Sequence, residues 1–367
     1  MLGGIAGLFA IVLFVMAHEA GHFFAAKATG MKATEFFFGF GPRLWSVRRG
    51  ETEYGFKLVP FGGYVRILGM SPFEEVPPED VGRTYREKPF WKKSVVVLSG
   101  VAMNFFIAFA IFFGLVTFEG VPEPTTAIAV VVPEVDGVAT AAANAELQAG
   151  DVIVSVDGVP TPSWEQVSSE LATRPGEQIV VGIDRDGETL EVAVDMGIRV
   201  GDDDVERGFL GVSPGFESRR AGVFEAFGIA GEQVWSTTRF AVEILGNLVR
   251  PDSLLTLAGG LVGNEVPNEI RPVSPIGIVN VGSQVERLGI ANFIALLASV
   301  NIILGTLNVL PLYPLDGGHF AVALYEKVTG RSVDFRKLAP IAAMVVGLIL
   351  FLGIVAIVLD IVDPIRL

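Results

Sequence analysis

The residues best suited to chemistry lie in the run Ala17-His18-Glu19-Ala20-Gly21-His22. A His-Glu-x-x-His sequence on a helix sets two imidazoles at i and i+4, on one face, with the glutamate beside them. Imidazoles so spaced can meet one zinc ion, and Glu19 is then placed to draw a proton from a water that the ion activates. The surrounding run, Gly3 to Ala26, is otherwise apolar enough to cross a bilayer. Three ionisable side chains inside such a span are expensive unless they have partners or a task, which makes chance amphipathicity a poor account of them. A secretory signal peptide fits no better. No basic residue precedes Lys27, and the polar motif interrupts the apolar stretch.

A second polar interruption occurs far along the chain, in Asn308-Val309-Leu310-Pro311-Leu312-Tyr313-Pro314-Leu315-Asp316-Gly317-Gly318-His319. Asp316 is the only acidic residue between Glu286 and Glu326. With no cysteine and only three histidines, His18, His22 and His319, a zinc site must use nitrogen and oxygen ligands. Asp316 is the carboxylate that would complete a His₂Asp site and leave one position open for water. Pro311 and Pro314 break the helix here and free backbone groups near the metal. The plainer use of Asp316 is to cap the turn that follows.

Four apolar runs are long enough to position these groups in a bilayer: Gly3–Ala26, Ser94–Phe118, Ile290–Leu312 and Leu338–Leu359. Lys27–Lys93 carries 12 Lys/Arg against 8 Asp/Glu, whereas Glu119–Gly289 carries 10 Arg, no Lys and 27 Asp/Glu. The positive-inside rule therefore places Lys27–Lys93 and the loop Gly317–Lys337 in the cytoplasm, and the acidic segment and both termini outside. The first and third spans then run in the same direction. His18, thirteen residues after Ile5, falls about 20 Å along its helix, in the cytoplasmic half, at the face where the third span ends. The net charge of −14 argues against a nucleic-acid partner.

The segment after the first span reads as strands: Thr34–Pro42, Leu44–Val47, Tyr54–Val59 and Tyr64–Leu68, divided by Gly and Pro. Phe36-Phe37-Phe38-Gly39 makes a poor solvent-facing strand, so it packs on the membrane helices or enters the lipid interface. Asn104 is the one amide of the second span; helix–helix hydrogen bonding is its simpler use, contact with substrate the other. Outside, Thr125 to about Pro214 reads as a β-rich domain, with a helix over 163–173 capped by Ser163 and a hairpin turn at Arg185-Asp186-Gly187-Glu188. The run Ala149-Gly150-Asp151-Val152-Ile153-Val154-Ser155-Val156-Asp157-Gly158 resembles that of circularly permuted bacterial PDZ domains. Gly208-Phe209-Leu210-Gly211 resembles their carboxylate-binding loop, which takes an extended peptide as an added strand. The alternative is a rigid obstruction that keeps large proteins from the membrane site. Gly222–Leu248 reads as an amphipathic surface helix, and Thr256–Glu269 as a Gly-rich loop.

With these motifs in place the whole chain resembles the site-2 proteases, the intramembrane zinc metalloproteases. It looks most like their bacterial RseP-type branch, in a short single-PDZ form similar to actinobacterial members. The resemblance rests on His18-Glu19-x-x-His22, Gly39-Phe40-Gly41-Pro42, Ser99-Gly100-x-Ala102-Met103-Asn104-Phe105 and Asn308-x-x-Pro311-x-x-Pro314-Leu315-Asp316-Gly317-Gly318. It implies a polytopic α-helical membrane protein of four transmembrane helices, a membrane-associated β loop and one extracytoplasmic PDZ domain. It further implies one Zn²⁺ ion on His18, His22 and Asp316, Glu19 as general base, and Asn308 as stabiliser of the tetrahedral oxyanion. Phe36, Phe37, Phe38, Gly39, Asn104, Pro311 and Pro314 become the candidates for substrate contact. Expected partners are membrane lipid and transmembrane proteins of the bacterial inner membrane, such as anti-sigma factors already cut by a site-1 protease, and remnant signal peptides. Two other classes compete: an inactive PDZ-bearing membrane scaffold, and a transporter, which would need polar groups spread along a pathway rather than gathered at one depth.

Overall fold

The computed structural model describes residues 2–71, 74–135, 137–201 and 204–365. The first helix, α1 (Leu2–Ala28), has no charged side chain before Glu19. It leads into β1 (Ala33–Arg49) and β2 (Thr52–Ile67). These two long strands fold back on themselves. Residues 33–38 of β1 pair with 63–67 of β2 on one side, and 35–40 pair with 53–59 on the other, while 43–49 pair with 52–57. Phe36 to Phe38 therefore lie on an inner strand, hydrogen-bonded along both edges. Their rings are shared out: Phe37 is buried and stacks on Tyr64, with centroids 5.9 Å apart, whereas Phe36 meets Phe23 of α1 at 5.3 Å.

A polar connector, held by Lys32 Nζ on the buried Asp80 carboxylate at 2.6 Å, returns the chain to α2 (Phe90–Glu119). Next come β3 (Val121–Val131), β4 (Glu134–Val135), β5 (Val138–Ala139), α3 (Ala141–Asn144), β6 (Val152–Val156), β7 (Val159–Pro160) and α4 (Trp164–Ala172). They are followed by β8 (Gln178–Arg185), β9 (Glu188–Asp195), β10 (Gly197–Val200), β11 (Glu206–Phe209) and β12 (Val212–Arg219). Residues 118–221 form one compact unit, and residues 1–117 with 222–367 form the other. In the smaller unit a sheet of order β12-β3-β6-β8-β9, with β7 on β6, packs Ile153, Val156, Ile179, Val181 and Ile183 against Val167 and Leu171 of α4. Ser163 caps α4, and Asp186 and Gly187, both at positive φ, make the β8–β9 turn. The strands at the two ends of the unit pair with each other, Val121 opposite Arg219.

The larger unit resumes with α5 (Val223–Leu248), α6 (Pro251–Gly260), α7 (Pro275–Arg287), α8 (Ile290–Val309), α9 (Asp316–Thr329) and α10 (Phe335–Val362). Among the described residues four helices are long and apolar enough to cross a membrane: Gly3–Ala28, Phe90–Glu119, Ile290–Val309 and Arg336–Val362. Ala230 and Val234 of α5 pack with Phe112 of α2 and with Ala298 and Ile302 of α8.

Three segments differ from the sequence reading. The loop Gly317–Lys337 is largely the helix α9. Its two leading glycines admit close backbone: a Cβ on Gly317 would collide with the Val309 carbonyl, and one on Gly318 with Tyr313. The Gly-rich stretch from Thr256 begins as the end of α6, which buries Leu257 against Val355 and Leu359 of α10. Residues 275–287 form α7, signalled by Ser274, whose hydroxyl caps Ile276 and Gly277, and by Pro275 at the first helical position.

Candidate metal centre and active site

Helical periodicity brings His18 and His22 to one face of α1, with ring centroids 4.7 Å apart. That face meets α2 at unusually close range. A Cβ on Gly21 would strike the Ser99 carbonyl, and one on Gly100 would land on His22 Nε2. The closeness lets the Val96 carbonyl reach His22 Nδ1 at 2.7 Å. A carbonyl can only accept, so Nδ1 carries the hydrogen and Nε2 presents a lone pair. The break between α8 and α9 supplies the third group. Leu310, ahead of Pro311, takes an extended conformation (ψ 135°), which ends α8. The chain restarts as α9 at Asp316, whose carboxylate caps nothing and points at the histidines. Asp316 Oδ2 lies 3.0 Å from His18 Nε2 and 3.2 Å from His22 Nε2, and the two nitrogens are 3.1 Å apart.

Both imidazoles are buried, and the Asp316 side chain is 14 % exposed. Asp316 Oδ2 forms no hydrogen bond, and neither does the buried His18 Nδ1. Lone pairs converging on one point without a shared hydrogen repel one another, and a divalent cation at that point converts them into ligands. Among the described residues this is the one group of three His, Asp or Glu side chains so placed. The donor set of two nitrogens and one oxygen is that of a zinc site with an open position.

Glu19 borders the same point. Its Oε2 accepts the Val65 N–H at 3.0 Å, a bond that fixes the carboxylate and shows that the outer edge of residues 63–67 faces α1. A cavity of about 250 Å³ is lined by Val15, His18, Glu19, Asn104, Leu304, Asn308, Pro314, Leu315 and Asp316. Asn308 is thus at the site, though its Nδ2 donates to Leu304 of its own helix at 3.1 Å. Asn104 is buried there with its Oδ1 unpaired, while its backbone carbonyl accepts Asn301 Nδ2 at 2.8 Å, so it serves the α2–α8 contact and faces the cavity as well.

Other expected site residues lie elsewhere. Phe36, Phe37, Phe38 and Gly39 do not line this cavity, and Pro311 borders an adjacent one with Tyr313. Phe36–Phe38, a candidate for substrate contact, is paired on both its sides and so has no free strand edge for an added segment. Gly208, Phe209, Leu210 and Gly211 line a groove of the smaller unit. Val65 and Val96 were not singled out from sequence, and Gly100 appeared only within the Ser99–Phe105 motif, with no role of its own. Two act through backbone groups that leave no side-chain signature, and Gly100 acts through what it lacks.

The profile of Peptidase family M50 matches residues 6–353. The chain belongs to this family, the site-2 proteases. Zinc metalloprotease Rip1 of Mycobacterium tuberculosis (strain H37Rv) is 32 % identical, the match covering 98 % of this chain and 96 % of that one. Rip1 of Mycolicibacterium smegmatis is also 32 % identical (98 % and 97 %), and zinc metalloprotease RasP of Shouchella clausii is 27 % identical (95 % of each). This M50 peptidase is a zinc metalloprotease of the site-2 type. A solved PDZ domain of an SdrC-like protein from Listeria innocua matches 26 % of this chain and 99 % of its own, at 14 % identity and a TM-score of 0.21.

Proposed function

We propose that this M50 peptidase hydrolyses a peptide bond within transmembrane segments of other proteins, with His18, His22 and Asp316 holding one zinc ion and Glu19 as general base. The observation that carries the reading is the convergence of two histidines from α1 and one aspartate from the start of α9 within 3.2 Å of one another, beside Glu19. Zinc, when bound, polarises a carbonyl and brings the pKa of water toward about 7. Glu19, oriented by the Val65 N–H, takes the proton of the attacking water. It returns that proton to the amide nitrogen as the C–N bond breaks. Asn308, turned from Leu304 toward the cavity, donates to the oxyanion, and the buried helices around the cavity keep bulk water out.

A helical substrate amide is shielded by its own hydrogen bonds, so the segment must open before it can react. Opened backbone in lipid needs new partners, because each unsatisfied group costs several kcal/mol. The inner strand at Phe36–Phe38 has none to offer. Residues 63–67 have their outer edge beside Glu19, which makes this edge the one that holds substrate as an added strand. Following the family resemblance, the substrates are anti-sigma factors first cut by a site-1 protease, together with remnant signal peptides. The enzyme sits in the bacterial inner membrane with its catalytic centre toward the cytoplasm. The single PDZ domain, which takes an extended peptide on the free edge of β12, lies outside.

Glu19→Gln and Asp316→Asn test the assignment. Glu19→Gln should lower cleavage of a membrane-embedded reporter by at least about 100-fold while zinc content in the pure protein stays near one. Asp316→Asn should lose both. Persistent cleavage in Glu19→Gln, or full zinc in Asp316→Asn, would sink it.

A further inference from the structure

A cavity of about 390 Å³ lies where α2 begins, between the connector that precedes this helix and the end of α9. Arg86, Lys93 and Arg331 line it, against one carboxylate among the described residues, Glu326. Glu326 is already engaged. One oxygen holds Lys93 Nζ at 3.1 Å, and the other accepts the Val333 N–H at 3.3 Å. Arg86 donates to a neutral acceptor, the Ser71 carbonyl. Three cations and one carboxylate leave the cavity with an excess of two positive charges.

A donor is left over as well. Tyr85 lines the same cavity and is 7 % exposed, yet its buried hydroxyl has no hydrogen-bond partner. Burial, and after it the Glu326 carboxylate, push its pKa up, so the group stays protonated. Buried hydroxyls are as a rule satisfied, because an unmet donor is destabilising. The Lys93 ammonium is 5.6 Å from the centroid of the same ring, so donor and cation share one space.

Position narrows the kind of anion that fits. Lys93 is the last charged residue of α2 before Glu119, so the cavity marks the level at which this helix enters a bilayer. Residues 331–333 also border a second cavity of about 480 Å³, walled by Pro311, Ala321, Leu338 and Ile341. Its other two charged residues, Asp334 and Lys337, offset each other. Cations on one side of this short connection and apolar walls on the other match the two ends of an anionic amphiphile.

We propose that the first cavity binds a phosphate group, with Arg86, Lys93 and Arg331 as its cations and Tyr85 Oη as its neutral donor. Several acceptor oxygens on one anion suit cations that come from separate segments. The phosphate belongs either to an anionic phospholipid, whose acyl chain takes the second cavity, or to a soluble phosphate ester. Bound there, it ties the start of α2 to the end of α9, the helix that begins at Asp316.

Native mass spectrometry of the full-length protein in detergent tests this with three probes: dioleoylphosphatidylglycerol, dioleoylphosphatidylcholine and glycerol 1-phosphate. Phosphatidylglycerol should bind about tenfold tighter than phosphatidylcholine, whose own ammonium screens its phosphate, and the gap should close as salt rises. Arg86→Gln combined with Arg331→Gln should erase the gap and leave phosphatidylcholine binding unchanged. Arg48→Gln combined with Arg49→Gln, at the exposed end of β1, should preserve it. Tyr85→Phe should weaken phosphatidylglycerol about threefold while the lipid-free protein melts no earlier, because only an unpartnered hydroxyl is removed. Saturable binding of glycerol 1-phosphate, lost in the Arg86/Arg331 variant, assigns the site to a soluble ester, and its absence beside a lipid preference assigns it to the lipid. The proposal is overturned if no probe is preferred, or if the preference survives the Arg86/Arg331 substitution. An equal loss in the Arg48/Arg49 variant also overturns it, since that marks general attraction to surface charge. Should the Arg86/Arg331 variant not fold, Tyr85→Phe decides.

Discussion

At the scale of single residues, the proposed metal centre depends on an absent side chain as much as on its candidate ligands. Gly100 gives α2 its approach to α1, and the Val96 carbonyl uses that approach to hold the His22 ring. Gly100→Ala should therefore reduce zinc affinity by about tenfold or more, the range seen when groups that orient metal ligands are lost. Zinc titration and the cobalt-substituted absorption spectrum measure it. Gly114→Ala on the same helix meets nothing within 4 Å and should leave both unchanged. In the smaller unit Asp151 is buried under a two-point contact from Arg185, at 2.6 and 2.7 Å, and also accepts the Gln148 N–H at 2.8 Å. The Arg185 hydrogen bonds hold its carboxyl below the usual carboxylate range. A lowered folded-state pKa gives stability that is complete above the unfolded value of about 4 and is lost as pH falls through the folded one. The melting midpoint of this unit should thus drop below about pH 4, and Asp151→Asn should remove about 2 kcal/mol at pH 7 and flatten that dependence.

The elements show where sequence reasoning reaches and where it stops. The i, i+4 histidines were legible because helix periodicity alone fixes their common face, and Asp316 stood out as an isolated carboxylate after paired prolines. The β loop was legible as four strand segments divided by Gly and Pro, but not in its order. Local reasoning pairs neighbours, whereas residues 33–40 insert between the two stretches of β2, a choice made by burying Phe37 and seating Phe36 on Phe23. Helix α9 escaped notice because glycine signals both helix ends and close approach, and only the surroundings tell them apart. The edge strand itself makes a prediction. Val65→Pro removes the N–H that Glu19 accepts, on an outer edge where no ladder bond is lost. Cleavage should fall about tenfold with zinc content unchanged, and kcat rather than metal affinity should report the change.

For the molecule as a whole, the proposed ligands come from elements near opposite ends of the sequence, so a bound ion would tie α1 to the α8–α9 break. Chelation should abolish cleavage and lower the melting midpoint of the larger unit, zinc should restore both, and the transition of the smaller unit should stay where it is. A full return of the midpoint without zinc would contradict that tie. The pairing of Val121 with Arg219 bears on construction at this scale. Cα atoms of such a pair are only about 5 Å apart, so the chain departs from α2 and comes back toward α5 almost where it left. The intervening hundred-odd residues form a cassette. Splicing 120 to 220 with a few Gly and Ser residues asks little of the helices on either side, and swapping in another cassette with equally close ends should re-address the catalyst without rebuilding it.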